Sequence, residues 1–403
     1  MENLSGKCIV IGLTGGIAVY KMGDVVSALK KAGAEVHVIM TRNTLEFIKP
    51  LTFETLTGTK CLTDTFDRDF EFDVKHISLA HKADTFLIAP ATANVIAKMA
   101  NGIADDMLTT TVLAARCPIL VAPSMNTNML EHPATAANIE TLKSYGYTII
   151  EPASGHLACG DTGRGKLPEK EVLIDEVIRA VAFEKDMAGL HVTVTAGPTQ
   201  EALDPVRYLT NYSSGKMGYA IARNAALRGA EVTLISGPTA LPPVPFVRTV
   251  PVKSAKEMFE AVKGALPETD ILVKAAAVAD YRPAAIAHNK IKKKDDDLSI
   301  ALERTDDILG WCGRNRHEGL FLCGFSMETE NMLANSRAKL EKKDLDMIAA
   351  NNVKTAGAGF AVDTNVLTLI TKNTCRELPL MSKDDAAKEL LDEILRVKRD
   401  VSF

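Results

Sequence analysis

No two of the seven cysteines, at positions 8, 61, 117, 159, 312, 323 and 375, form a CxxC pair or share a spacing with histidine that suits zinc. This implies neither a disulfide framework nor a structural metal and leads us to expect a reduced, cytoplasmic chain. No apolar run approaches the ~20 residues of a membrane span. The opening MENLSGKCIVIGLTGG has no basic stretch leading into an apolar one, so neither insertion nor export is expected. Positive charge is not in surplus either: the formal net charge of -4 argues against a dedicated nucleic-acid surface and leaves room for local sites that bind small anions. The GxGxxG fingerprint is missing as well. The first glycine turn, GLTGGIA, has its glycines at 12, 15 and 16, which disfavours a Rossmann NAD(P) oxidoreductase.

The 403 residues, 46% hydrophobic and 24% charged, are enough for two domains with separate cores. In the first half, CIVIGL (8–13), EVHVIM (35–40), TFLIAP (85–90), ILVAPS (119–124) and YTII (147–150) alternate with helical stretches. Such runs indicate a doubly wound α/β fold with a parallel sheet. After a helix to about Lys185 the pattern restarts at 190–199, 230–239, 246–250, 270–278, 319–326 and 345–350. NVLTLITKN (365–373) adds a strand of alternating character, and a helix from Ser382 to Arg396 ends the pattern. A second nucleotide-fold domain is therefore expected from about residue 187. PTALPPVPF (238–246) reads as a loop, and KIKKKDDD (290–297), with nearly balanced charge, as a solvated hairpin.

Several constellations could carry chemistry. GHLACGDTGRG (155–165) is a glycine-dense run around Cys159 and reads either as an incidental loop or as a lid that delivers a thiol. The turn Gly12 to Ala18 suits a phosphate at a helix start, and a flavin mononucleotide fits it as well as a dinucleotide. Thr92 and Asn94 fall where a strand enters a long helix, and Asn126 does so one strand later, as either a helix cap or an orienting amide. His76 precedes the strand at 85; by residue type alone it is a structural or exposed histidine. In the second half, ALDPVRYLTNYSSGKMG (202–218) gathers Arg207, Asn211, two serines and Lys216 at a helix start, which suits a triphosphate or an adenylate-like anion. Asp280 beyond a strand end, with Lys290 ten residues on, supplies a carboxylate for Mg²⁺ and a cation for phosphoryl charge.

These motifs together resemble one family, the bifunctional phosphopantothenoylcysteine decarboxylase / phosphopantothenate-cysteine ligases of coenzyme A biosynthesis. The decarboxylase half is similar in LTGGIAVYK (13–21), PLTFETLTG (50–58), HISLA (76–80), APATAN (89–94), PSMNTNM (123–129) and GHLACGDTGRGKLPE (155–169). The ligase half is similar in TAGPTQEALDPVRYLTNYSSGKMG (195–218), AAAVADYRP (275–283), KIKK (290–293) and KKDLDMIAANNV (342–353). The resemblance implies a flavodoxin-like flavoprotein domain over 1–186 and a nucleotide-binding ligase domain over 187–403. It implies FMN and Mg²⁺ as cofactors; 4'-phosphopantothenate, L-cysteine and CTP as partners; and trimers of the first domain joined to dimers of the second in a dodecamer. A flavin-binding regulatory module of the same fold is the alternative, and it lacks both the thiol and the second domain.

By matched position, His76 is the expected base, Asn126 the holder of the substrate carboxylate and Cys159 the acid. Thr14, Gly15, Gly16, Thr41, Pro90, Thr92, Asn94, Ser124 and Met125 are expected near FMN. In the ligase, Arg207 and Asn211 are matched to the acyl-cytidylate and Lys290 to its formation. Ala275, Ala276, Asp280, Asp306, Asp307, Ile308, Leu309, Phe325, Lys339 and Lys343 are matched to CTP, with Asp280 as the metal ligand. Two positions depart from the pattern: Leu130 where tryptophan is usual and Asp306 where proline is usual. The chemistry explains the flavin. The substrate's cysteine nitrogen is acylated and cannot form a Schiff base, whereas oxidation of its thiol creates a C=S group β to the carboxylate that accepts the electrons of the lost CO₂.

Overall fold

The computed structural model describes residues 4–66, 75–156, 160–292, 299–328, 332–352 and 362–401. The chain divides into two compact units, Met1–Glu184 and Lys185–Phe403. In the first, β1 (Cys8–Leu13), β2 (Glu35–Met40), β3 (Thr85–Ala91), β4 (Ile119–Pro123) and β5 (Thr148–Ile149) form a parallel sheet in the order β2-β1-β3-β4-β5. Every residue of β1, β3 and β4 is buried, which is why these strands read as unbroken apolar runs. Val10, Ile88 and Val121 pack with helices Ala93–Ala100 and Met107–Ala114 in one core. The alternate residues Ile9, Ile11 and Leu87 are equally buried and point to the other face. At Gly12 a helix lies close against the sheet: a Cβ there would lie 2.5 Å from Leu108 Cδ1.

The single long helix expected after Thr92 is two helices, Ala93–Ala100 and Met107–Ala114. Gly102 turns left-handed at φ 68°. Asp106 then starts the second helix with a capping box, accepting from Thr109 N at 2.9 Å. The glycine-dense run is not simply a loop, because β6 (Ala153–His156) and β7 (Thr162–Lys166) pair antiparallel on either side of it.

The second unit holds eight strands in the order β12-β11-β8-β13-β16-β17-β19-β20. They are β8 (His191–Ala196), β11 (Glu231–Ser236), β12 (Val247–Pro251), β13 (Ile271–Lys274), β16 (Phe321–Glu328), β17 (Met347–Asn352), β19 (Leu367–Thr371) and β20 (Cys375–Glu377). The first six are parallel and the last two pair antiparallel at the edge. Short hairpins flank the sheet: β9 (Gln200–Ala202) with β10 (Tyr208–Thr210), and β14 (Tyr281–Pro283) with β15 (Leu302–Arg304). A last small pair joins β18 (Thr364–Asn365) to β21 (Met381–Ser382). The run KIKKKDDD falls in the connection from β14 to β15, and its residues 293–297 lie outside the described residues.

Both sheets start their strands with the same device. Asp84, immediately before β3, accepts Cys8 N–H at 2.7 Å and donates its own N–H to Cys8 O at 2.8 Å. Asp270 does this with His191 (2.8 and 2.8 Å), and Asp346 with Leu322 (2.7 and 3.0 Å). Each carboxylate caps a strand N–H that would otherwise lack a ladder partner and fixes the pairing of two parallel neighbours.

Among the described residues all cysteines are free and no helix is long and apolar enough to cross a membrane. Burial pushes the thiol of Cys8 up to about 11 and those of Cys61 and Cys312 up to about 12, so none of these is poised as a thiolate. Replacing a strand-start aspartate should act within its own unit. Asp84→Ala and Asp270→Ala should each remove about 1–2 kcal/mol, and calorimetry of the two units' transitions should show only the transition of the altered unit shifting down.

Candidate functional sites

In the first unit, strand order reverses between β1 and β3, and a cavity of about 630 Å³ opens beyond their C-terminal ends. Its wall brings together Gly15, Gly16, Thr92, Ser124, Met125 and Asn126. Beneath it Thr14, fully buried, donates from Oγ1 to Pro90 O at 2.6 Å and accepts Thr92 N–H at 3.0 Å, tying the end of β1 to the end of β3. Thr92 in turn caps helix Ala93–Ala100. Thr41 also lies behind the wall, bonded to Thr44 at 3.0 Å, whose hydroxyl donates to Leu13 O at 2.8 Å. Asn94 is exposed on the first turn of its helix and does not line the cavity. Nor does His76: its helix, Lys75–Lys82, turns Leu79 into the core and leaves the histidine half-buried outside the wall.

The hairpin β6/β7 docks on the segment after β4 at three points. Met125 N–H donates to Gly165 O at 3.0 Å, Thr127 Oγ1 donates to Arg164 O at 2.7 Å, and Asn126 Nδ2 donates to Asp161 Oδ2 at 2.9 Å. Asn126 serves at the same time as a cap, its Oδ1 accepting Asn128 N–H at 2.8 Å. Gly165 is required there, because its φ is 131° and a Cβ would sit 2.1 Å from Met125 O. Cys159 lies outside the described residues; on either side of that gap, His156 lines the cavity and Asp161 holds Asn126.

The sequence did not single out Ile17, Met129, Lys21, Lys166 or His156, which complete the wall. Ile17, Ala18, Met125, Met129 and Leu167 offer an apolar slot, while Lys21 and Lys166 offer positive charge beside the glycine turn. The set suits a planar apolar group carrying an anionic tail. Among the described residues one trio could ligate a metal, Cys8, Glu35 and His37, with ligand atoms within 4.8 Å of one another. It starts β1 and β2, at the opposite end of the sheet from the cavity, and Glu35 is already neutralised by Lys82 at 2.5 Å.

In the second unit, order reverses between β8 and β13, and again the ends of the strands form the site. A cavity of about 140 Å³ is lined by Ser213 to Gly218, Ala275 to Ala277, Phe325 to Met327, Asn351, Asn365 and Lys383. Helix Lys216–Leu227 begins at Gly215, φ 80°, with no side-chain cap, so its first N–H groups can serve an anion. Lys216 pairs with Asp363 at 2.6 Å and Lys383 donates to Val362 O at 2.5 Å. Burial, followed by the nearby Lys216 charge, lowers the pKa of Lys383. Asn351 Oδ1 is buried and has no partner among the described residues. Neither Asn351 nor Lys383 was singled out from sequence; NNV in the matched motif was the available signal for the first.

The residues matched to the nucleotide are divided: Ala275, Ala276 and Phe325 line the cavity just described, while Asp307 and Lys343 meet in a second cluster with Lys274. Asp307 caps helix Ile308–Arg314 through Gly310 N–H at 3.1 Å and pairs with Lys343 at 2.8 Å. Burial works to raise its pKa, but these two bonds hold it below the usual range. Lys274, at the end of β13, is pushed down to about 8 by burial and by Lys343, with Asp280 and Asp307 opposing. Ile308 and Leu309 are core residues, and Asp280 is exposed, its carbonyl taking Thr305 N–H at 3.0 Å. Lys339 stands on helix Met332–Lys342, and Asp306 accepts Ile308 N–H at 3.1 Å through its carbonyl. Asn211 donates to Ala277 O at 3.0 Å. Arg207 lines a separate cavity of about 650 Å³ and grips Asp204 at 2.6 and 3.0 Å, which holds the Asp204 carboxyl far below the usual range. Gly165→Ala tests the docking of the hairpin. The forced Cβ should cost about 1–3 kcal/mol and raise the proteolytic sensitivity of β6/β7 at least severalfold.

Residues 1–182 match the Flavoprotein family, and residues 187–397 match the DNA/pantothenate metabolism flavoprotein C-terminal domain. The chain is 47% identical over 400 residues to the coenzyme A biosynthesis bifunctional protein CoaBC of Bacillus subtilis (strain 168), covering 98% of each. It is 42% identical over 396 residues to the protein of that name from Escherichia coli (strain K12), again covering 98% of each. A crystal structure of the C-terminal domain of a coenzyme A biosynthesis bifunctional protein CoaBC is 43% identical, with a TM-score of 0.46, covering 53% of this chain and 98% of that one. The chain therefore belongs to the family of bifunctional coenzyme A biosynthesis proteins, with a flavoprotein half and a pantothenate-metabolism half.

Proposed function

We propose that the first unit decarboxylates 4'-phosphopantothenoylcysteine with FMN and that the second makes that substrate from 4'-phosphopantothenate, L-cysteine and CTP, so that the chain yields 4'-phosphopantetheine in the cytoplasm. As a member of its family the chain is a bifunctional enzyme of coenzyme A biosynthesis with a flavin-dependent decarboxylase half and a ligase half. The observation that carries the division of labour is the pair of cavities, each at a strand-order reversal and each lined by residues of only one unit.

The first cavity fits FMN. Its apolar slot matches a flavin ring, Thr92 and Ser124 offer hydroxyls, and the Gly15–Gly16 turn with Lys21 and Lys166 suits the phosphate. Bound there, a flavin supplies a reversible two-electron acceptor for the substrate thiol. The protein's own task is to hold and to enclose. Asn126 orients the carboxylate, and the docked hairpin excludes water and carries the segment with Cys159, the proton donor for the reduced carbon. The role of His76 as base is carried by the HISLA motif, not by the cavity wall.

In the ligase, the N–H groups at Lys216 suit the phosphate of 4'-phosphopantothenate, Asn351 Oδ1 is free to accept from a donor of the same substrate, and the Lys274, Lys343, Asp280 and Asp307 cluster suits the CTP triphosphate with Mg²⁺ at Asp280. The substrate carboxylate attacks the α-phosphorus of CTP and expels pyrophosphate. Cysteine's amine then displaces CMP from the acyl-cytidylate held by Arg207 and Asn211. Assembly as trimers of the first unit and dimers of the second accompanies the family reading.

Purified protein with 4'-phosphopantothenate and cysteine should convert them to 4'-phosphopantetheine faster with CTP than with ATP, by mass-resolved product analysis, and should show a flavin absorption band. A colourless protein that makes no product with either nucleotide sinks the reading. Cys159→Ser should release CO₂ yet stop at the oxidised aminoenethiol, two mass units below product; normal phosphopantetheine yield would remove the thiol from its role.

A further inference from the structure

We propose that Asp204 is a positioning residue of the ligase, fixing the backbone on which Lys290 is carried; the inference rests on the ligase reading above. Asp204 is 3% exposed and its carboxylate accepts five hydrogen bonds. Oδ1 takes the N–H groups of Val206 and Arg207, both at 2.8 Å. Oδ2 takes Ile291 N–H at 3.0 Å, Arg207 Nε at 3.0 Å and Arg207 Nη2 at 2.6 Å. Arg207 Nη2 also donates to Ile291 O at 2.6 Å. Ile291 is thus gripped through its amide by the carboxylate and through its carbonyl by the guanidinium. Four residues earlier, Ala287 N–H donates to Leu203 O at 3.0 Å. The stretch that carries Lys290 is pinned on both sides to the turn 203–207.

That stretch belongs to no helix or strand. A segment without its own hydrogen-bond ladder opens locally at low cost unless something else orders it. A lysine must be held to within about 0.5 Å to act on a developing phosphoryl charge. Asp204 supplies that order without touching the reacting atoms. It also leaves Arg207 Nη1, which has no partner among the described residues, on a side chain still 43% exposed and open to an anion.

Asp204→Asn discriminates sharply, because every partner of the carboxylate is a donor. In one amide orientation the NH₂ faces Ile291 N–H and both guanidinium donors; in the other it faces two backbone N–H groups. Either way one set of contacts is lost. Three readouts follow. Amide exchange at Ile291 should speed up at least tenfold. Pyrophosphate release in a single turnover without cysteine should fall at least tenfold in rate at saturating CTP, while decarboxylation of supplied phosphopantothenoylcysteine stays unchanged. In a Lys290→Gln background the same Asp204→Asn change should cost at least threefold less than it does in the wild type, because the lysine it positions is already gone and only its hold on Arg207 remains. A purely structural fault would multiply undiminished through both backgrounds, and that result, or unchanged pyrophosphate release, overturns the inference. If Asp204→Asn fails to fold, replacement of Ile291 by its α-hydroxy acid, which exchanges only the amide N–H for an ester oxygen, is the second variant and should lose pyrophosphate release to the same degree. Wild-type protein that releases no pyrophosphate overturns the ligase reading itself, whereas normal wild-type release with an unaffected variant overturns only the role of Asp204.

Discussion

Parallel strands offer no turn to set their register, so something at the strand starts must do it. Asp84, Asp270 and Asp346 each close a two-bond clamp between neighbouring strands, with the carboxylate accepting one N–H and the aspartate's own N–H answering. The consequence is felt at the far end of the sheet. Once two strands start together, a slip of even one residue would turn buried side chains to the wrong face, so the strands also end at fixed relative heights. Both cavities are made of those ends. The chemistry at one edge therefore depends on carboxylates at the other.

The two sites share this plan but solve different electrostatic problems. In the flavin unit the wall is mostly apolar with cations near the glycine turn, as a neutral ring with a charged tail requires. In the ligase unit charges are dense and nearly cancel: Lys343 with Asp307, Lys216 with Asp363, Arg207 with Asp204. Such pairs hold cations in position without leaving them bare before an anion arrives. Lys274 is different, with no paired carboxylate at hydrogen-bond distance among the described residues.

What was legible in the sequence follows from burial. A strand enclosed on both faces, such as Cys8–Leu13, is an unbroken apolar run and was read to the residue, as was Glu35–Met40, whose Glu35 and His37 alternate with buried apolar residues before it turns wholly apolar. The hairpins at Gln200–Ala202 and Tyr208–Thr210, and at Tyr281–Pro283 and Leu302–Arg304, were not foreseen, because mostly exposed three-residue strands carry no period. The break after Ala100 had a signal, Gly102 followed by Asp106, that the apolar periodicity masked. The turn glycines and strand-end polar residues of the flavin cavity were visible in the sequence; Lys166 and His156 lay inside the motif GHLACGDTGRGKLPE but were not singled out, since they reach the cavity only on a hairpin folded back from downstream. Asp204 sat in plain view as an Asp-Pro turn bonding its own chain two and three residues on. Its hold on Ile291, 87 residues away, is a property of the fold alone.

With Asn126 as the proposed holder of the substrate carboxylate, its bond to Asp161 makes the hairpin and the substrate rivals for one amide. A carboxylate entering the cavity exchanges like for like, one anionic acceptor replacing another, so little net hydrogen-bond energy is spent in releasing the tip. Once that carboxylate has left as CO₂, Asp161 is again at hand as an acceptor for the amide. The loss of the leaving group thus restores the empty arrangement without any separate signal, and the protein carries in its own sequence a copy of the group it removes.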